Sequence, residues 1–463
     1  MEVQAQRRAA PAGPTEAVSM TSAAVLSLAA SAIYAVLGTG YVLDDWFTLR
    51  NAHFEGAWAS AGTAQQTARP GAAVVYAVVF GLVGQHPLVV LAVQAAIGAA
   101  TAVVLVHLLR RFFPPWLALS STLLWVLLPN HSSLEVWASA TNIALCVLLV
   151  VIGADLLCAR ARWAQWAAIV SFALAGLCYE AVLPLAAAAI VVLPWLRRGR
   201  PDWPLIGGGA VALGGVALWI VTHWQPAKQV SKTWADLTQI VGAHLGWGIA
   251  PSGPVASILA LVGLIGIAVA VVRVAFPSFR GASGPAEWAV VTGVAIAVLG
   301  TIPFARYLYA PLGAGDRFDF VSSIGGAMVW AGILTMLWSW RRPLSLVVAV
   351  VLVAAAGVAR VERAVVWHEA GHDARAIQRG VVAAIPHPSG VVVVGPAPIQ
   401  RQNIAAYLDQ SNIEGALQLA YDDPHLRAGL AFSRQQFERY PPSQRFDLRT
   451  VSQLRPDTQV TGG

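Results

Sequence analysis

The chain has 463 residues, of which 57% are hydrophobic and 11% are charged, with a formal net charge of +7 and a mean hydropathy of +0.64. This composition excludes a soluble globular protein and indicates a polytopic membrane protein that uses lipid as its solvent. Cys146, Cys158 and Cys178 all fall inside apolar runs. Their placement offers neither a disulfide framework nor a zinc-type cysteine spacing, and it is typical of small core residues.

The apolar runs predict an all-α bundle of about eleven membrane-spanning helices, since a span needs roughly 17–25 apolar residues. We place the spans near 22–40, 87–109, 115–129, 137–157, 164–179, 181–196, 205–222, 254–272, 286–303, 321–339 and 343–359. The transmembrane bundle thus covers 22–359. Residues 1–21, with two arginines and two prolines, read as a disordered cytoplasmic tail.

The arginines predict the orientation of the bundle. Clusters such as Arg110-Arg111, Arg197-Arg198 and Arg341-Arg342 fall on alternate short connections. Because Lys and Arg concentrate in short cytoplasmic loops, this pattern places the N-terminus in the cytoplasm. The arginine pattern agrees with this orientation only if the apolar stretch 69–85 does not cross the membrane. We therefore expect an interfacial or re-entrant segment there, within an outer loop over 41–86.

The composition changes after residue 360, where charged side chains become frequent and apolar runs of spanning length end. We expect residues 360–463 to form a small extracytoplasmic α/β domain. It would contain a helix over 361–384, a buried strand over 391–396, and short helices over 403–408 and 413–421.

Two adjacent carboxylates, Asp44 and Asp45, follow the first apolar run. Charges at a membrane boundary are costly enough that they often mark a functional site. The alternative interpretation is that the pair only ends a helix in the headgroup region, where acids are solvated.

Other polar residues are predicted on the same outer face. They are His131 and Glu135 in one loop, Tyr179-Glu180 at a tight turn, and Arg306 and Arg317 in a later loop. Interfacial solvation explains each of them singly. Because all of them are predicted on the same face of the membrane, a functional site there is favoured.

The order of these features resembles the GT-C superfamily of membrane glycosyltransferases, above all its protein O-mannosyltransferase-like and aminoarabinose-transferase-like branches. The features are Asp44-Asp45, an amphipathic outer loop, Arg69-Pro70, Pro-x-His-x-x-x-Glu-x-Trp and Tyr-Glu, and the resemblance covers roughly residues 20–340. It implies a multi-helix bundle that transfers a sugar, with inversion, from a polyprenyl-phosphate donor to a glycan, lipid or protein acceptor.

The resemblance also implies roles for single residues. Asp44 would be the catalytic base, and Asp45 would either support it or hold a divalent cation such as Mg²⁺ or Mn²⁺. Donor-phosphate or substrate binding would fall to a larger set: Arg69, His131, Glu135, Glu180, Arg306 and Arg317. Some members of the family have Lys-Glu where this chain has Tyr179-Glu180. The donor-phosphate role of that lysine therefore cannot be assigned to Tyr179.

Two other functions stay open. His368-Glu369-Ala370-Gly371-His372 matches the His-Glu-x-x-His pattern, which on a helix puts two imidazoles on one face for zinc with the glutamate as base. The competing interpretation is a linker helix with Trp367 and Ala370 facing inward. A non-catalytic transporter of lipid-linked sugars would also explain the bundle, but not the acid pair. The expected partners are membrane lipids and no nucleic acid, and the composition suggests a bacterial plasma membrane.

Overall fold

The computed structural model describes residues 14–37, 40–61, 68–84, 86–223, 242–246, 248–250, 253–276, 283–304, 319–396, 399–401, 404–407, 409–451 and 459–460. Before the first strand, the α-helices of the described residues include α1 (Pro14–Leu37), α2 (Asp45–Glu55), α3 (Pro70–Val78), α4 (Pro87–Leu109), α5 (Pro115–Leu127), α6 (Ser133–Val136), α7 (Thr141–Leu157), α8 (Arg162–Cys178), α9 (Leu183–Arg198), α10 (Trp203–His223), α11 (Pro254–Ala275), α12 (Pro285–Thr301), α13 (Ser322–Trp340) and α14 (Arg342–Ala384).

Nine helices of the described residues are long and apolar enough to cross a membrane. Each coincides with a predicted span, so the protein is a helical membrane bundle. The two remaining predicted spans are shorter, with 13 residues in α5 and 17 in α8. The count of eleven therefore stays a prediction. The first helix begins at Pro14, inside the stretch expected to be a disordered tail, while residues 1–13 lie outside the described part of the chain.

Proline and glycine shape the bundle. Proline stands in the first turn of α3, α4, α5, α11 and α12. Its fixed φ suits a helix start, and it lacks only an N–H that would have no helical partner there. Where α12 meets α13, a Cβ added at Gly293 would approach the Gly325 carbonyl oxygen to 2.6 Å. Small residues at this crossing let the two backbones pack closely.

The stretch expected not to cross forms α3 and a following π-helical turn, Val79–Val83. Together they reach about 21 Å at 1.5 Å per residue, less than the hydrocarbon thickness of about 30 Å. The Tyr41 hydroxyl donates to the Gly84 carbonyl over 2.5 Å, and the Tyr76 hydroxyl donates to the Ser139 carbonyl over 2.8 Å. These bonds hold the segment against the loops at one end of the bundle.

The last span and the predicted helix after it are one continuous 43-residue helix, α14. At Arg360 this helix still packs on α1, because the guanidinium lies 5.6 Å from the centre of the Tyr34 ring. Further along, a Cβ added at Gly371 would lie 3.1 Å from the Gly40 Cα. The predicted boundary at 360 thus falls inside the packed part of the helix, which runs beside α1 and its exit as far as Gly371.

Beyond α14 lie β1 (Val391–Gly395), β2 (Ile399–Arg401), β3 (Ile404–Ala405), α15 (Gln410–Tyr421), β4 (Arg427–Leu430), α16 (Arg434–Glu438), β5 (Arg445–Asp447) and β6 (Gln459–Val460). One sheet is parallel, with the order β4-β1-β5, and the other pairs β2 with β3 and β6 in antiparallel fashion. The strand predicted at 391–396 is confirmed. The helix predicted over 403–408 is wrong, because Ile404–Ala405 pairs with β2 as a strand.

The C-terminal segment shares its apolar core with the first predicted outer loop. Trp46 and Leu49 of α2 belong to the same buried cluster as Ile377 of α14 and Leu417 of α15. A Cβ added at Gly415 would meet the Trp46 carbonyl oxygen at 2.8 Å, so α15 lies directly on α2. The loop that carries the acid pair is therefore held between the bundle and the C-terminal segment.

Candidate functional site

The acid pair stands on a strained turn. Leu43 has φ of 53°, a left-handed conformation that bulky residues rarely adopt and that costs of the order of 1–3 kcal/mol. Its side chain is buried, and its backbone N–H donates to the Ala406 carbonyl over 3.4 Å. Asp44 comes next with an exposed side chain, and Asp45 begins α2. The buried side chain of Leu43 and its backbone hydrogen bond to Ala406 thus hold the turn, and Asp44 lies at the surface.

Asp45 is buried and satisfied by neutral donors. One carboxylate oxygen accepts from the Ser139 backbone N–H over 2.8 Å and from the Ser139 hydroxyl over 2.6 Å. The other accepts from the Val42 N–H over 3.2 Å, which closes the turn before α2. Burial raises the pKa of Asp45 to about 7, against the lowering effect of these hydrogen bonds and with a smaller rise from Asp44. The two carboxylates therefore differ in exposure, and Asp45 holds the turn.

Arg69 and Glu180 form a bidentate pair. The Arg69 Nε donates to Glu180 Oε2 over 2.7 Å and its Nη2 donates to Oε1 over 2.6 Å, a geometry that matches the planar fork of arginine to a carboxylate. The guanidinium also lies 4.5 Å from the centre of the Tyr179 ring. Two predicted site residues are thus brought together, and each satisfies the charge of the other.

His131 and Glu135 lie one helical turn apart in the loop 129–140. The His131 Nε2 is 3.6 Å from Glu135 Oε1, and its ring stacks on Trp125 with centroids 5.2 Å apart. Burial, with Arg360 and Arg363 nearby, lowers the pKa of His131 to about 3. The imidazole is therefore neutral at physiological pH.

Arg360 and Arg363, which the sequence reasoning missed, are buried against the same loop. Arg360 pairs with Glu135 and donates to the Val126 carbonyl over 2.8 Å. Arg363 donates to the Pro129 carbonyl, and to the Gly248 carbonyl over 2.9 Å. Their spacing could have identified them from the sequence, because arginines three residues apart lie on one face of a helix, here one that continues an apolar span.

A buried His244–Asp319 pair lies near these arginines, since His244 belongs to the same short stretch as Gly248. The His244 Nε2 is 3.5 Å from Asp319 Oδ1, and burial lowers the pKa of His244 to about 4. Among the described residues, its ring nitrogens have no hydrogen-bond partner that meets normal geometry. This histidine is also neutral at physiological pH.

Loop 129–140 connects most of these groups. It supplies Pro129 to Arg363, Glu135 to Arg360 and Ser139 to Asp45. Because Tyr76 also donates to Ser139, the loop is linked to the helix that follows Arg69. We call the end of the bundle formed by Asp44, loop 129–140, Glu180 and residues 242–246 and 248–250 the mouth end. Arg306 and Arg317 lie outside the described residues.

The His-Glu-x-x-His residues lie on α14, as predicted. Trp367 and Ala370 are buried, which confirms the inward face expected of a linker helix. His368 and His372 are partly exposed. In the part of the chain that the structure describes, no group of three or more His, Cys, Asp or Glu side chains gathers in a way that could hold a metal ion.

A scan of the chain against protein-family models finds no match, and a search of curated proteins finds no similar sequence. The functional interpretation therefore depends on the arrangement of the mouth end and on the order of motifs along the chain.

Proposed function

We propose that the protein is a membrane glycosyltransferase of the GT-C type, which transfers a sugar from a polyprenyl-phosphate donor to an acceptor hydroxyl, with Asp44 as the base. The observation that carries the proposal is the division of the acid pair. Asp45 is buried and anchored by Ser139 and Val42, while the adjacent Asp44 is exposed at the end of the bundle where the loops meet. A carboxylate fixed in this way is suited to general-base chemistry.

The proposed reaction is a displacement at the anomeric carbon of the donor sugar. The Asp44 carboxylate takes the proton of the acceptor hydroxyl as its oxygen attacks the anomeric carbon. The new carbon–oxygen bond forms on the face opposite the phosphate, the bond to the phosphate oxygen breaks, and the polyprenyl phosphate leaves with the electron pair. General-base assistance of this kind contributes typically about 10²–10⁴-fold to the rate.

The leaving phosphate needs a cationic partner. Arg69 is occupied by Glu180, so it would meet a phosphate only by exchanging one carboxylate oxygen for a phosphate oxygen. We keep Arg306 and Arg317 as the other phosphate-binding candidates. The Asp45 carboxylate does not fit an open cation site, because it is 1% exposed and both its oxygens already accept hydrogen bonds. We derive no step through a metal ion.

The orientation belongs to the same proposal. With the N-terminus in the cytoplasm, the mouth end lies on the extracytoplasmic face of a bacterial plasma membrane, and the segment after α14 lies outside. A bundle suits a polyprenyl-linked substrate, because the lipid tail can stay in the bilayer while the reactive carbon meets water at the interface.

The test measures release of prenyl phosphate from a short-chain prenyl-phosphate mannose by the purified protein in nanodiscs. Asp44→Asn keeps the size of the side chain but removes the base, so turnover should fall about 10²–10⁴-fold while donor binding remains. Asp155→Asn is the matched control, because Asp155 pairs with Arg111 at the opposite end of the bundle. Turnover that is near normal in Asp44→Asn would refute the assignment.

A further inference from the structure

A cavity of about 570 Å³ lies between α2, α14 and α15, beside the acid pair. One face of α14 supplies much of its wall, because Arg375, Gln378, Arg379, Val382 and Ala383 recur at helical spacing. The remaining lining residues are Tyr41, Trp46, Leu49, Pro87, Leu419 and Ala420. A volume of this size is within the range of small-molecule sites, which is about 300–1,000 Å³.

The charged side chains among the described residues of the cavity wall are all positive. Arg375 and Arg379 both line it, one helical turn apart, and no Asp or Glu occurs among the described residues of its wall. Burial and the neighbouring Arg379 lower the pKa of Arg375. Two guanidiniums on one wall repel each other, and an anion between them would convert that repulsion into attraction.

Aromatic and apolar side chains form much of the remaining wall. Trp46 lines the cavity and is 6% exposed, and the Tyr41 ring lies beside it with the two ring centroids 6.0 Å apart. The cavity wall thus combines two cations with an apolar surface, which suits a ligand that has an anionic group and an uncharged part.

The position of the cavity places it at the membrane interface. Gly40, which follows the end of α1, touches Arg375, because a Cβ added at Gly40 would overlap that guanidinium. Pro87, another wall residue, is the first residue of a membrane-spanning helix. A ligand could therefore enter either from water or as the headgroup of a lipid.

We propose that this cavity binds a sugar-sized phosphate ester, with Arg375 and Arg379 on the phosphate and Trp46 packing against the rest of the ligand. A phosphate monoester carries about −1.5 to −2 charge at neutral pH, which complements two guanidiniums. The volume leaves room for a group of hexose size beside the phosphate. This binding function does not depend on the proposed sugar transfer.

Two probes distinguish the sources of the phosphate. Full-length protein in zwitterionic nanodiscs is titrated with glucose 1-phosphate, and separately with a short-chain prenyl phosphate, by isothermal titration calorimetry. Glucose itself is the neutral comparison and should bind at least tenfold more weakly. The probe with the lower dissociation constant identifies a water-soluble or a lipid-linked ligand. Binding of neither probe would overturn the proposal.

The variants assign the site. Arg379→Gln removes one charge from an exposed side chain and should weaken binding about 10- to 100-fold, as expected for a charge-assisted hydrogen bond. Arg439→Gln is the matched control, an exposed arginine outside the cavity wall, and it should bind as the wild type does. Equal losses in Arg379→Gln and Arg439→Gln, or no loss in Arg379→Gln, would refute the site.

Discussion

The charged side chains at the two ends of the bundle have different surroundings. At the end opposite the mouth, which we call the arginine-loop end, Arg111 Nε lies 2.7 Å from Asp155 Oδ1 and Arg273 Nη1 lies 2.6 Å from Glu287 Oε1. Arg162 and Arg198 share Asp202 there in the same way. These arginine side chains are about one third exposed or more, between 31% and 43%. Of the three acids, Asp202 and Glu287 are buried and Asp155 is 17% exposed, so the Arg111–Asp155 pair is the one nearest solvent and should contribute little to stability, about 0–1 kcal/mol.

At the mouth end, Asp45 and Arg363 are buried and form hydrogen bonds with neutral groups. Asp45 accepts from Ser139 and from backbone, and Arg363 donates to backbone carbonyls. Removing one partner from a buried charge leaves the other uncompensated, at a cost of about 3–5 kcal/mol. The arginine-loop end thus places its paired arginines near solvent, whereas the mouth end buries Arg360 and Arg363.

The first prediction asks whether the two ends lie on opposite sides of the membrane. A cysteine at Gln435, on the exposed surface of α16, should react with an impermeant maleimide in intact cells, and one at Arg200 should react only after lysis. The three native cysteines are buried and should give little background. The reverse labelling pattern would place the mouth end and Asp44 in the cytoplasm.

The second prediction compares a buried with an exposed arginine. Arg360→Met should lower the free energy of unfolding by about 3–5 kcal/mol, because it leaves Glu135 without its buried partner. Arg111→Met, at the arginine-loop end, should cost about 1 kcal/mol or less. Unfolding by denaturing detergent in mixed micelles measures both.

A double variant checks the cause of that loss. Arg360→Met combined with Glu135→Gln removes both charges and should recover part of the stability that Arg360→Met loses. If the double variant is no more stable than Arg360→Met, the loss comes from packing and not from the uncompensated carboxylate.

The third prediction is a pH dependence at the mouth end. The folded pKa of Asp45 is raised to about 7 from an ordinary value of 3.8, so the folded state holds this proton over a range where the unfolded state has released it. Stability should therefore fall as the pH rises from about 4 to about 7, by an amount of the order of a few kcal/mol, and level off above that range. Asp45→Asn does not titrate.

The measurement for Asp45 is the difference in unfolding free energy between wild type and Asp45→Asn across that pH range. The difference isolates Asp45, since the other acids titrate in both proteins. A difference that stays constant from pH 4 to pH 7 would mean that Asp45 titrates normally in the folded protein.

The smallest effect is expected at the His-Glu-x-x-His motif. Replacing both His368 and His372 with Ala should leave sugar transfer largely unchanged, because both side chains are partly exposed on a helix whose buried face is formed by other residues. Transfer assays and the zinc content of the purified protein test this. One zinc per chain, lost in the double variant, would instead support the metalloprotease alternative.

Much of the fold could be predicted from the sequence. All nine long apolar helices of the described residues coincide with predicted spans. These predictions succeeded because a span is a local property, decided by apolar length against bilayer thickness. The difference in exposure between Asp44 and Asp45 could be expected for a similar reason, because neighbouring residues on regular backbone point in different directions.

The candidate site depended on contacts between distant parts of the chain. Asp45 meets Ser139, 94 residues away, and Arg360 meets Glu135, 225 residues away. No local pattern marks Ser139 as the partner of an acid, and composition placed Arg360 beyond the bundle.

The sequence by itself determined that the protein is a helical membrane bundle and where its apolar helices lie, because lipid requires each spanning segment to satisfy its own backbone within an apolar run. Only the tertiary structure decided which charges are buried, which carboxylate of the pair is anchored, and that α14 and α2 enclose a cavity with two arginines. Burial and pairing are properties of the packed chain, since the same arginine is solvated on one helix face and enclosed on another.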